Sequence, residues 1–198
     1  MSKELEAARE LVKMLEEKEK ADKVELATLN PGKVFKVGEH DFIVLAQLNH
    51  VTAVISKGLM AQDKVFDDNT RDYKESSLKS LIEDEIQPII EDAVGADNLI
   101  EHTVDLTSVD MQNEFGSYRC KVRPITFDEA REYNQHIVNK SLPDWYWTCT
   151  PWSTAERGWR YSVAVVSPSG DICFDYDFYD GVRPFCILKS NLFVSLME

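Results

Sequence analysis

Histidine is scarce and dispersed: His40, His50, His102 and His136 stand far apart, and none has a neighbouring nucleophile. The chain also lacks Gly-x-Ser-x-Gly, a phosphate-cradling glycine loop and His-Glu-x-x-His, so no motif assigns hydrolase, nucleotide or zinc-protease chemistry. A non-enzymatic protein without a cofactor is the expectation. Cysteine is equally sparse: Cys120, Cys149, Cys173 and Cys186 show no Cys-x-x-Cys spacing and lie in apolar or aromatic settings. They are expected as buried free thiols rather than as a disulfide framework or zinc site. No apolar run is long enough to span a bilayer, and the first residues form a charged helical pattern without the apolar stretch of a signal peptide. A cytoplasmic protein with no membrane association is therefore expected. Positive charge is the last deficit, with 22 Lys and Arg against 35 Asp and Glu for a net charge of −13. Residues 63–114 alone carry −11 of it. This excludes an electrostatic grip on nucleic acid and favours a basic partner, most simply a protein.

Against these deficits, 43% of the 198 residues are hydrophobic, enough for one cored domain and an appendage. The appendage is residues 1–28, a helix with Leu5, Ala8, Val12 and Leu15 at three-four spacing and then a linker; residues 29–198 form the domain. The apolar stripe covers only two heptads and has one β-branched core position. Docking on its own domain, giving a monomer, is thus favoured over pairing with a second copy.

Residues 144–151, Asp-Trp-Tyr-Trp-Thr-Cys-Thr-Pro, are the densest aromatic run and the expected structural centre. As a strand, Trp145, Trp147 and Cys149 point one way and Tyr146, Thr148 and Thr150 the other, with Pro151 ending the ladder. Strands are also predicted at 34–37, 42–48, 51–55, 99–109 and 119–125, and at 182–188. Residues 159–166 and 171–178 form a hairpin around Ser167-Pro168-Ser169-Gly170. From Ser76 or Ser77 the period changes to helix, with Leu78, Ile82, Ile86 and Ile90 on one side, Pro88 expected to kink or split it and Gly95 to stop it. Its other side carries Glu83, Asp84, Glu85, Glu91 and Asp92, either a solvated face or an acidic interface. Thr126 with Glu129 is a capping box that starts a helix from Phe127 to about Val138.

The tryptophan strand ending in Thr-Pro, the hairpin and Gly181-Val182-Arg183-Pro184 resemble a domain family of unknown function found in phages and bacteria. Matching blocks lie at 38–45, at 68–70 with 76–78, and at 126–130. Together they are similar to the C-type-lectin-like fold of formylglycine-generating enzymes and phage tropism determinants. The resemblance implies an α+β fold of antiparallel sheets with two flanking helices, C-type-lectin-like, preceded by the N-terminal helix. It further implies ligand contacts on the loops and strand face before the closing strand. There this chain offers Trp152, Trp159, Arg160, Tyr161, Tyr176 and Tyr179, of the aromatic and arginine types that anchor interfaces. A protein, a glycan or a small nucleotide would suit such a face. Trp145, Trp147 and Arg183 are assigned structural roles, Arg183 by locking a loop through a carboxylate or backbone carbonyls. Asp175 and Asp177 with Asp180 have the oxygen chemistry of calcium ligands, but their spacing lacks the glycine and terminal glutamate of a calcium loop, so no metal is expected. The function expected is a phage- or prophage-encoded binding module, with an acidic inhibitor of a basic, nucleic-acid-binding host protein as the alternative.

Overall fold

The computed structural model describes residues 5, 9–10, 23–154, 157, 162–175 and 179–196. The fold is mixed and mostly sheet. A seven-stranded sheet runs in the order β1 (Lys23–Glu25), β14 (Phe193–Leu196), β2 (Val34–Val37), β3 (His40–Leu48), β4 (Val51–Ser56), β13 (Pro184–Lys189) and β8 (Val122–Pro124). A five-stranded sheet runs β11 (Ile172–Asp175), β10 (Val163–Val166), β9 (Tyr146–Pro151), β12 (Asp180–Val182) and β5 (Ala61–Lys64). The pair β6 (His102–Asp105) and β7 (Ser117–Cys120) stands apart.

The centre of the large sheet is apolar without alternation because both faces are covered. Phe42 and Val44 of β3, Val54 of β4, and Cys186 and Leu188 of β13 join one core cluster. Ile43, Leu45, Ala53, Ile55 and Phe185, at the intervening positions, join a second. Successive strand side chains point to opposite faces, so one strand feeds two cores. The first cluster is closed by helix α1, which runs through Ser77–Leu81, Ile82–Ile86 and Gln87–Val94 and buries Leu78, Ile82, Ile86, Ile90 and Val94. The second is closed by α2 (Phe127–Glu132) and α3 (Asn134–Ile137) through Ala130 and Ile137. β9 serves both clusters, Trp147 and Cys149 in the first and Tyr146 in the second. Pro151 is its last residue.

Several expectations are corrected. The kink or split expected at Pro88 takes the form of a change of helix type ahead of it, with Ile82–Ile86 between Ser77–Leu81 and Gln87–Val94. The helix widens just before it into a π turn over Ile82–Ile86, where Gln87 N–H donates to the Ile82 carbonyl, and that wider turn accommodates the residue that has no N–H to give. The strand predicted over 119–125 is two, because β7 pairs with β6 whereas β8 pairs with β13 in another sheet. The helix from Phe127 breaks at Tyr133, whose φ of −98° and ψ of 15° leave the helical region. Residues 23–28, expected as linker, belong to the fold: β1 pairs with β14, and Leu26 is buried in the first cluster. Leu5, Arg9 and Glu10 are helical, and Leu5 is exposed; the rest of the predicted N-terminal helix, Val12 and Leu15 included, lies outside the described residues. Among the described residues no helix is long and apolar enough to cross a membrane.

Candidate functional site

Across the five-stranded sheet, β11, β10 and β9 hold Cys173, Val165 and Trp147 in one register row. Asp175 on β11 and Trp145 before β9, two residues from this row in opposite directions, line a cleft of about 300 Å³ that Asp144, Val165, Cys173, Phe174, Tyr179 and Asp180 complete. Its far wall is tied to its near wall through backbone. Gly181 N–H donates to the Trp145 carbonyl at 2.8 Å, and Gly181 bridges Tyr146 in parallel register. A side chain at 181 would collide with Leu59, 2.4 Å from the place a Cβ would occupy. Glycine therefore lets β12 settle between β9 and β5 and brings Tyr179 and Asp180 beside Trp145.

The cleft has an apolar rim and an anionic floor. Tyr179 is 62% exposed, a large area for a tyrosine ring, and Trp145 is half-buried. Trp152 packs against Phe174 of the cleft, with ring centroids 5.0 Å apart and the planes tilted by 43°. Asp180 is only 4% exposed, and its Oδ2 has no hydrogen-bond partner. Burial and the charges of Asp175 and Asp144 push its carboxyl up to about 7. Lys64 faces Asp180 in register on β5 but forms no ion pair with it. Instead the Lys64 carbonyl accepts from Trp147 Nε1 at 2.7 Å, which pins β5 to β9. Among the described residues no three Asp, Glu, His or Cys side chains gather as a metal site.

Of the predicted partner-binding residues, Tyr179 lies on the rim and Trp152 reaches the cleft through Phe174. Trp159, Arg160, Tyr161 and Tyr176, together with Asp177, lie outside the described residues. Trp145, assigned a structural role from its strand, packs against the first core cluster and also lines the cleft. Trp147 is buried against Phe66, ring centroids 5.7 Å apart. Arg183 is fully buried without a carboxylate. Its Nε donates to the Ser56 carbonyl (2.7 Å), its Nη1 to the Ile137 carbonyl (2.6 Å) and to Tyr146 Oη (3.1 Å), and its guanidinium sits 5.1 Å from the Tyr146 ring centroid. It thus joins β4, α3 and β9 at one point. Asp180 is legible in the sequence only as an oxygen-ligand candidate beside Asp175 and Asp177, and the signal for Asp144 is its position before Trp145.

The acidic helix face is less uniform than its sequence. Glu83 pairs with Lys79 at 2.7 Å and accepts from Tyr118, and Glu91 pairs with Lys121 at 2.8 Å. Asp84, Glu85 and Asp92 remain exposed. Among the cysteines, burial raises Cys120 to about 11 and Cys149 and Cys186 to about 12, which keeps them as thiols. Cys173, expected to be buried, is exposed, because β11 is an edge strand and this residue faces the cleft. Compared with protein-family models, curated proteins and solved structures, the chain matches none of them.

Proposed function

We propose that this chain is a non-catalytic binding module that recognises a protein partner at the cleft between Trp145 and Tyr179. The observation that carries this reading is the union, in one depression, of an exposed tyrosine, a half-buried tryptophan and a buried carboxylate without a hydrogen-bond partner. Large rings with low conformational entropy are the usual anchors of interfaces, and a desolvated polar group at the base of the depression supplies selectivity. The cleft immediately precedes β12 and β13, the place at which a C-type-lectin-like domain carries its ligand contacts. That position is in line with the finer fold reading; a phage or prophage origin acting in the host cytoplasm is proposed on the sequence resemblance alone. A phosphate-bearing nucleotide fits poorly beside Asp144, Asp175 and Asp180.

The acidic-inhibitor reading is disfavoured, because Glu83 and Glu91 already have lysine partners and two of the five carboxylates offered are partly neutralised within the fold. One experiment separates the two. Partner capture from host lysate is compared between the native protein, the double variant Trp145→Ala/Tyr179→Ala, and a variant with Asp84, Glu85 and Asp92 changed to lysine. The cleft variant is expected to lose the partner at least tenfold and the charge-reversed variant to keep it, with little sensitivity to salt between 50 and 300 mM, roughly the range over which surface charge is screened. The opposite pattern would transfer recognition to the helix face.

A further inference from the structure

The base of the cleft shows more than a recognition surface, because it holds a buried carboxyl group that has neither a hydrogen-bond partner on Oδ2 nor an ion pair among the described residues. A carboxylate removed from water is ordinarily hydrogen-bonded or paired. Asp180 is 4% exposed, and its Oδ2 accepts from nothing. The groups around it do not help. Asp175 on β11 and Asp144 before β9 add like charge, and Lys64 across the β5 register makes no ion pair with it. Asp144 itself accepts a backbone bond from Trp145 N–H at 2.8 Å. Trp145 and Tyr179 line the same cleft, and aromatic rings attract cations to their π faces. Two aromatic residues sharing a cleft with a carboxyl group that no described residue pairs are complementary to positive charge carried on an apolar stem.

We infer that the cleft takes an organic cation, an alkylammonium or guanidinium, whose N–H groups donate to Asp180 while Trp145 and Tyr179 enclose its stem. The inference rests on the reading of the cleft as the recognition site and names the chemistry recognised there. A divalent metal is the poorer occupant, since no three ligating side chains converge among the described residues. The cation has two sources, a lysine or arginine side chain of a protein partner and a free polyamine.

The test uses the full chain and nitrogen-15 NMR, following the Trp145 indole and the Tyr179 amide. Five probes are titrated: a blocked Gly-Gly-Lys-Gly-Gly peptide, its arginine and norleucine counterparts, spermidine, and calcium chloride. The lysine and arginine peptides are expected to shift both signals and the norleucine peptide to leave them in place. Spermidine acting without the peptides would keep the cation and assign it to a free amine, which would count against a protein partner while sustaining this inference. Asp180→Asn, which preserves shape and removes the charge, is expected to weaken binding at least tenfold. With the carboxyl titrating at about 7, roughly a tenth is ionised at pH 6 and nine-tenths at pH 8, so affinity for the cation should rise about tenfold over that interval. Equal shifts from the norleucine peptide, a response to calcium alone, or unchanged affinity in Asp180→Asn would each overturn the inference. In the last case, loss of the protein partner in Trp145→Ala/Tyr179→Ala would still leave the recognition site standing.

Discussion

A carboxylate that is 4% exposed and has an unpartnered oxygen loses hydration that its surroundings do not replace. For Asp180 the consequence is measurable as a pH dependence of folding. Its folded-state carboxyl lies at about 7 against an ordinary 3.8, so the folded chain holds a proton that the unfolded chain has released. The contribution to stability is fully present below about pH 4 and is lost as pH rises through about 7. Asparagine at 180 cannot ionise. Urea unfolding of native and Asp180→Asn proteins should therefore show the variant gaining about 2 kcal/mol relative to the native chain between pH 5.5 and 8.5. A difference that stays flat with pH would mean that the carboxyl is solvated after all. Arg183 is the complementary case. It is buried with a lone Nη2, but two carbonyls and the Tyr146 ring and hydroxyl receive its charge, so its role is to join elements. The sequence reading of Arg183 as a lock anticipated the carbonyls. It could not decide between carbonyls and a carboxylate, because the partners come from residues 56 and 137.

At the level of elements, α2 is held by one side chain acting twice. Thr126 Oγ1 accepts from Glu129 N–H at 3.1 Å, and Glu129 Oε2 accepts from Thr126 N–H at 2.9 Å, completing the capping box legible in the sequence. The same carboxylate also takes two bonds from Arg123 of β8, at 2.7 and 2.6 Å. Arg123 lies 4.2 Å over the Phe185 ring and donates from Nε to His102 Nε2 at 3.1 Å. Nε2 of His102 must then be the unprotonated nitrogen, which agrees with burial and the nearby Arg123 charge lowering its pKa. Burial pushes Glu129 up, but the bonds and charge of Arg123 outweigh it and hold the carboxyl below its ordinary value. Stability from this pair is present above the ordinary carboxylate range and is lost as pH falls through the lowered value. Thr126→Ala should cost about 1 kcal/mol, as the loss of an N-cap does. Glu129→Gln should cost about 3 kcal/mol at neutral pH, because it leaves Arg123 buried without its counter-ion, and the deficit should shrink on acidification. Similar costs for the two variants in thermal unfolding would show that the ion pair contributes nothing beyond the cap.

For the whole molecule, the decisive question is where the domain begins. Leu26 is fully buried, its N–H donates to the Leu192 carbonyl at 2.8 Å, and Gln47 Nε2 donates to the carbonyls of both Leu26 and Leu29 at 2.9 and 2.8 Å. Unfolding of the full chain and of chains starting at Lys23 and at Leu29 answers it. The chain starting at Leu29 loses β1 and a core leucine and should unfold about 3 kcal/mol more easily than the one starting at Lys23. Sedimentation of the same three chains checks whether any change of oligomeric state accompanies the loss; equal stability of the two truncated chains would return residues 23–28 to the status of a linker. What the sequence determined by itself is whatever depends on neighbours within a few residues: the Thr126 cap, the hairpin turn at Ser167–Gly170, the Ser76 start and Gly95 stop of α1, and the alternation of β9. Tertiary structure alone decided that β7 and β8 part into different sheets, that Lys23–Glu25 pairs with a strand some 170 residues away, and that Asp144, Trp145, Asp175, Tyr179 and Asp180 share one cleft. The reason is physical. Local periodicity reports which face of an element is apolar, whereas strand order and the convergence of distant side chains depend on which apolar faces cover one another once the whole chain has collapsed.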